Sequence, residues 1–104
     1  MVIYGLIRVL TMAEVQTYVI YDIEEDKTRN KVAEACKDYG LERVQYSTFL
    51  GSLNQNKRGE LYLRLFKLLG KKAGKIIILP VCDKDVKQTR SIVNEPDGNE
   101  IPQP

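Results

Sequence analysis

The stretch Lys75–Cys82, KIIILPVC, constrains the fold more than any other part of this 104-residue chain. Three consecutive isoleucines and a leucine form a short apolar, β-branched run, which predicts a strand. Pro80 has no amide hydrogen, so the later half of that strand belongs at a sheet edge or a bulge. A chain of this length makes one domain. At 43% hydrophobic and 29% charged residues, it has ordinary globular composition.

The remaining elements follow from periodicity. Thr17–Tyr21 (TYVIY), closing on Asp22-Ile23, reads as a buried strand. A helix follows, capped by Asp26 or Thr28, with Val32, Ala35, Cys36 and Tyr39 on one face. Gly40 is placed to end it in a left-handed turn, with Leu41 folding back onto it. Arg43–Leu53 alternates as one bent strand or two short ones, and no turn signal divides it. Ser52-Leu53-Asn54-Gln55 has capping-box spacing, so a second helix starts between Asn54 and Gly59. Leu61, Leu65, Leu68 and Leu69 supply its core face, Tyr62 and Phe66 widen it, and Gly70 ends it. Val86–Val93 is a candidate short strand, and the Pro- and Gly-bearing tail is loop.

Strand, helix, extended region, helix, strand is the outline of a two-layer α/β sandwich. Splitting the central region gives βαββαβ, an α+β ferredoxin-like fold with an antiparallel sheet and two helices on one face. The pattern alone does not make that split. The expected division is residues 1–16 as an extension, 17–94 as the domain and 95–104 as a tail. Val2–Leu10 is apolar but too short to span a bilayer and carries Arg8. It lacks the basic start and cleavage site of a signal peptide, and Met12 offers another start.

Histidine is absent. That excludes Ser-His and Cys-His nucleophile systems, histidine bases and histidine metal ligands. Catalysis must rest on carboxylates, a metal, lysine or tyrosine. Cys36 and Cys82 form no C-x-x-C pair, so neither a disulfide framework nor a zinc site is indicated. Both read as small buried hydrophobes in a reduced, cytoplasmic setting.

The net charge of +2 hides an asymmetry. All 16 Lys and Arg precede Asn94, whereas Glu95, Asp97 and Glu100 follow it. Between Lys57 and Lys75 stand seven basic residues and one acid, Glu60. Such a block suits a polyanion, and a solvated helix face has the same appearance. Asp22 closes a hydrophobic strand where the chain turns into a helix, a place where side chains meet ligands. A carboxylate there can hold Mg²⁺, which accepts one or two carboxylates and fills its shell with water and phosphate oxygens. It can equally cap the following turn. Glu24–Asp26 suit a helix N-terminus, but Arg29 and Lys31 do not, and a phosphate partner would account for them.

TYVIYDI, the acidic residues after it, RNKVA at Arg29–Ala33, GLERVQYSTFLG at Gly40–Gly51 and LPVC at Leu79–Cys82 together resemble CRISPR-associated protein 2. The likeness covers about Thr17 to Cys82, in order. Its specificity lies in pairing Y-D-I with Q-x-S-x-F, where Thr48 stands in place of the commoner valine. The resemblance implies a ferredoxin-like homodimer whose strand-end aspartates, here Asp22, face each other across the twofold axis. It implies a Mg²⁺-dependent endonuclease acting on single-stranded RNA or double-stranded DNA. In spacer acquisition the dimer would bridge copies of the CRISPR-associated protein 1 integrase and support DNA. Arg29, Lys31, Arg43, Ser47 and Phe49 match positions the family uses on nucleic acid, with no membrane role. Two carboxylates brought together would repel unless a cation or proton lay between them.

Two other readings stay open at this point. One is a VapD-like toxin endoribonuclease, which shares the fold and a strand-end aspartate. The other is a catalytically silent scaffold that binds DNA. For Phe49, a core position competes with stacking on a base.

Overall fold

A computed structural model describes residues 13–94. The expected tail 95–104 and most of the expected extension lie outside the described residues. Strand β1 (Val15–Ile23) leads to helix α1 (Asp26–Asp38), then strands β2 (Glu42–Gln45) and β3 (Thr48–Leu53). Helix α2 (Gln55–Leu69), strand β4 (Gly74–Val81) and helix α3 (Asp83–Gln88) complete the order. The four strands lie in the order β2-β3-β1-β4, with antiparallel neighbours. This is the βαββαβ plan, and β4, with Pro80, lies at the sheet edge among the described residues, one of the two places its proline allowed.

Alternation along β1 divides the sheet into two faces. Thr17, Val19, Tyr21 and Ile23 are buried against α1 and α2, together with Phe49 and Leu53 from β3. Val32, Ala35 and Cys36 of α1 and Leu61 and Leu65 of α2 close this core. Full burial of a side chain such as Phe49 or Leu61 contributes about 1.5–3 kcal/mol. The opposite face carries Tyr18, Ile20 and Asp22 from β1, with Ile77 and Leu79 opposite in β4. Ile20, Ile77 and Leu79 remain exposed there.

Several local details differ from expectation for physical reasons. β1 starts two residues earlier than Thr17 because Val15 and Gln16 already pair with Leu53 and Ser52. The central region is two strands, joined through Tyr46-Ser47 by a turn without glycine or proline. The Arg43 guanidinium donates to the Tyr46 carbonyl there, and the Tyr21 amide donates to the Ser47 carbonyl at 3.0 Å.

The N-cap of helix α1 is Glu25, so neither Asp26, its first residue, nor Thr28 caps it. The Thr28 hydroxyl donates back to the Glu25 carboxylate, which Lys72 also holds at 3.1 Å. At its far end Gly40 takes φ +81°, the Gly40 amide donates to the Lys37 carbonyl and Leu41 to Cys36, a left-handed cap as expected. The α2 cap is Asn54, whose Oδ1 accepts the Lys57 amide at 2.8 Å, and not Ser52. Ser52 stays in β3 and accepts from Gln16 Nε2 at 2.9 Å.

Tyr62 and Phe66 do not widen the core face. They stand exposed beside Leu63, about 100° round the helix from Leu61 and Leu65. Residues 83–88 form α3 and not the start of a strand, and residues 89–94 carry no regular structure. Asp83 and Asp85 favour its N-terminus, and the Thr89 hydroxyl closes on the Asp85 carbonyl at 2.9 Å. Cys36 is buried as expected, but Cys82 is exposed and lies 3.2 Å from Asp85 Oδ2.

Candidate active site and nucleic-acid interface

Asp22 is the penultimate residue of β1 and sits on the open face, exposed, opposite Lys75. The ion pairs among the described residues are Arg29–Asp26, Lys57–Glu60, Arg64–Asp38 and Lys72–Glu25. Asp22 takes part in none, so its carboxylate is available to a ligand. Two neighbours fix where its backbone lies. Arg29 Nη1 donates to the Ile23 carbonyl at 3.0 Å and to that of Glu24 at 3.3 Å, while Asp26 holds the same guanidinium. From the β4 side, Gly74 (φ +152°) comes so close that a Cβ would stand 2.8 Å from the Asp22 carbonyl oxygen.

The expected nucleic-acid residues divide into four groups. Lys31 is exposed on α1 and free of ion pairs among the described residues. Arg29 and Arg43 converge on a single recess, which Tyr21, Asn30, Ala33 and Tyr46 also line. Ser47 lies in the β2–β3 turn, where its carbonyl anchors Tyr21. Phe49 is 0% exposed and cannot stack on a base. Instead its ring carries the Arg43 guanidinium at 4.9 Å and stacks on Tyr21 with centroids 6.4 Å apart. Such a cation–π contact is worth about 0.5–2 kcal/mol and holds Arg43 in place.

The positive block is partly self-neutralised. Lys57, Arg64 and Lys72 pair with acids, and Arg58 donates to the Leu53 carbonyl at 2.8 Å. Lys67, Lys71 and Lys75 are exposed and free of such partners among the described residues. The lysines left for phosphate are therefore fewer than the sequence block suggests.

Two site features were missed from sequence. Gly74 carries no signal in the sequence, and only the pairing of β4 with β1 reveals its closeness to Asp22. Tyr46 occupies the variable position of the Q-x-S-x-F string, and its ring is exposed. An aromatic residue flanked by polar ones in an otherwise alternating strand was the available signal.

Burial affects two titrating groups here. It pushes the Tyr21 hydroxyl above its ordinary value, with Arg43 pulling the other way, and pushes the Cys36 thiol up to about 12. Among the described residues no three acid, cysteine or histidine side chains gather as a metal cluster. A single free carboxylate fits a water-rich Mg²⁺ shell completed by phosphate or a second copy, and does not fit a closed protein cage. No helix among those residues is long and apolar enough to cross a membrane.

Known proteins resemble this chain in sequence and in fold. The family described as CRISPR associated protein Cas2 matches residues 16–89. A CRISPR-associated endoribonuclease Cas2 of Desulforudis audaxviator is 54% identical over 77 residues, covering 74% of this chain and 73% of that protein. A CRISPR-associated endonuclease Cas1/endonuclease Cas2 fusion of Thermoproteus tenax is 31% identical over 83 residues, covering 80% of this chain and 31% of the fusion. The crystal structure of Streptococcus pyogenes Cas2 shares the fold at TM-score 0.65 and 23% identity, covering 75% of this chain and 99% of that one. With the matched residues running from β1 into α3, and the strand-end aspartate and the turn-to-β3 string in place, the chain belongs to the CRISPR-associated protein Cas2 family.

Proposed function

We propose that this chain acts in CRISPR spacer acquisition as a homodimer that binds nucleic acid, partners a Cas1 integrase and cleaves RNA or DNA with Mg²⁺ through Asp22. One observation carries the reading: Asp22 is an unpaired carboxylate on a sheet face whose neighbours Ile20, Ile77 and Leu79 are exposed and apolar. An apolar face of this kind favours association. Two copies meeting through it would set their Asp22 carboxylates near each other, where like charge disfavours ionisation of both without a cation. When bound, a divalent ion would supply charge neutralisation and an acidified water. The chain's own contribution is placement: Arg29 and Gly74 fix the strand end that carries Asp22, and Lys75 adds positive charge beside it. The endoribonuclease name of the Desulforudis audaxviator relative supports the activity, and the Thermoproteus tenax fusion supports the Cas1 partnership. The free thiols of Cys36 and Cys82 suit a cytoplasmic setting.

The test is Asp22→Asn, assayed with Mg²⁺ on single-stranded RNA and duplex DNA beside a retention assay without cleavage. Cleavage should vanish while retention persists. Cutting by the Asp22→Asn variant at the wild-type rate would remove Asp22 from the chemistry. A second reading, a silent DNA scaffold, is favoured by the lone carboxylate that each copy offers. It is the reading left if the wild-type protein cuts neither substrate but retains DNA.

A further inference from the structure

The recess between α1 and the β2–β3 turn is lined by Tyr21, Arg29, Asn30, Ala33, Arg43 and Tyr46 and encloses about 320 Å³. We infer that it is an anchoring subsite for one unpaired nucleotide, with the phosphate on Arg43 and Arg29 and the base against Tyr46. This rests on the nucleic-acid-binding part of the proposed function and adds to it a second place of contact, one that takes a single strand and not a duplex.

Charge comes first. Two guanidiniums face one cavity whose lining holds no carboxylate, and planar guanidinium forks suit phosphate oxygens. Arg29 is largely committed to the Ile23 and Glu24 carbonyls and to Asp26. Arg43 is less committed. It gives one bond to the Tyr46 carbonyl, rests on the Phe49 ring and lies beside the Tyr21 hydroxyl, which still leaves N–H donors for a ligand. The Tyr21 hydroxyl, in the same lining, is protonated at neutral pH and can donate.

Shape and stiffness come next. The volume matches a small-ligand cavity and suits a single nucleotide. Tyr46 is 75% exposed, so its ring is open to a partner, and the bond from Arg43 to its carbonyl ties the turn that carries it. A base stacked on such a ring gains about 1–3 kcal/mol whatever its identity. A duplex keeps its bases inside the stack and cannot offer one.

Position defines the role. Tyr21 points to the helix side of β1 and Asp22 to the open side, because successive strand residues alternate. The nucleotide in the recess is therefore not the one at Asp22. The recess grips a strand that passes round the end of β1.

The experiment uses the full chain in EDTA and fluorescence anisotropy with labelled oligouridylate about ten nucleotides long, beside a blunt duplex. Tyr46→Ala should weaken single-strand binding about tenfold and leave duplex binding unchanged. Tyr46→Phe, which keeps the ring, should bind as wild type, and Tyr62→Ala, an exposed aromatic outside the recess, should bind both probes as wild type. Absence of single-strand binding, an unchanged affinity in Tyr46→Ala, or equal losses on both probes would overturn the subsite. Asp22→Asn that still cuts would instead sink the catalytic reading and leave these affinities untouched.

Discussion

The Arg29 guanidinium lies 3.0 Å from the Ile23 carbonyl, so the first turn of α1 holds down the strand end that carries Asp22. A basic residue near a helix N-terminus is unfavourable by the macrodipole, and here the β1 carbonyls and Asp26 offset that cost without a phosphate. Arg29→Ala should lower stability by about 1.5–3 kcal/mol, the range for hydrogen bonds to a charged group. Urea denaturation checks this. Arg29→Lys should recover only part of the loss, since a single ammonium cannot reproduce the planar fork.

Gly74 governs the same strand end from the opposite side. A methyl group there would press on the Asp22 carbonyl oxygen at 2.8 Å and on Ile23 Cα at 3.1 Å, from a φ of +152°. Gly74→Ala should cost about 1–3 kcal/mol in stability and should reduce cleavage beyond what that loss explains. The check is a thermal melt paired with initial rates well below the melting temperature. A rate equal to wild type would mean that the Asp22 end of β1 tolerates displacement.

The two thiols should separate cleanly. Cys82 is exposed and Cys36 buried, so a thiol reagent at pH 8 should label one site per native chain and two after denaturation. The Cys36 pKa, raised to about 12, also sets an alkaline limit. The unfolded thiol ionises from about pH 8.5 and the folded one does not, so the stabilisation is complete below that value and is lost as pH rises toward 12. Tyr21 acts in the same direction at higher pH. Urea midpoints between pH 7 and 10 should fall more steeply for wild type than for Cys36→Ala.

At the surface, Lys67, Lys71 and Lys75 carry the prediction for phosphate binding. Each lysine that touches a phosphate should contribute about one unit of slope in a plot of log affinity against log salt. Lys71→Glu should therefore flatten that plot, whereas Lys57→Gln, already paired with Glu60, should change it little. Filter binding across a salt series measures both.

How much of this was legible depended on range. The strands of Thr17–Ile23 and Lys75–Cys82 and the leucine face of α2 were readable because their patterns are local. Asp22 was readable as a strand end, and its side of the sheet follows from alternation with Tyr21. The turn at Tyr46-Ser47 was not, because it has no glycine or proline and is held by the Arg43 side chain and by the Tyr21 amide of a distant strand. Phe49 shows the same limit. Its neighbours in sequence matched a nucleic-acid position, but its partners in space, Tyr21 and Arg43, place it in the core. The exposed aromatic of that string is Tyr46, three residues earlier.

Pro80 has a consequence for behaviour in concentrated solution. Among the described residues β4 has one flank without a neighbour in the sheet, the kind of bare rim on which proteins stack into fibres. A residue with no amide proton near the end of that rim spoils the ladder for any invading strand, and Lys75 at the other end adds charge against it. The same ring that fixed the strand's location thus guards this isoleucine-rich segment against runaway aggregation.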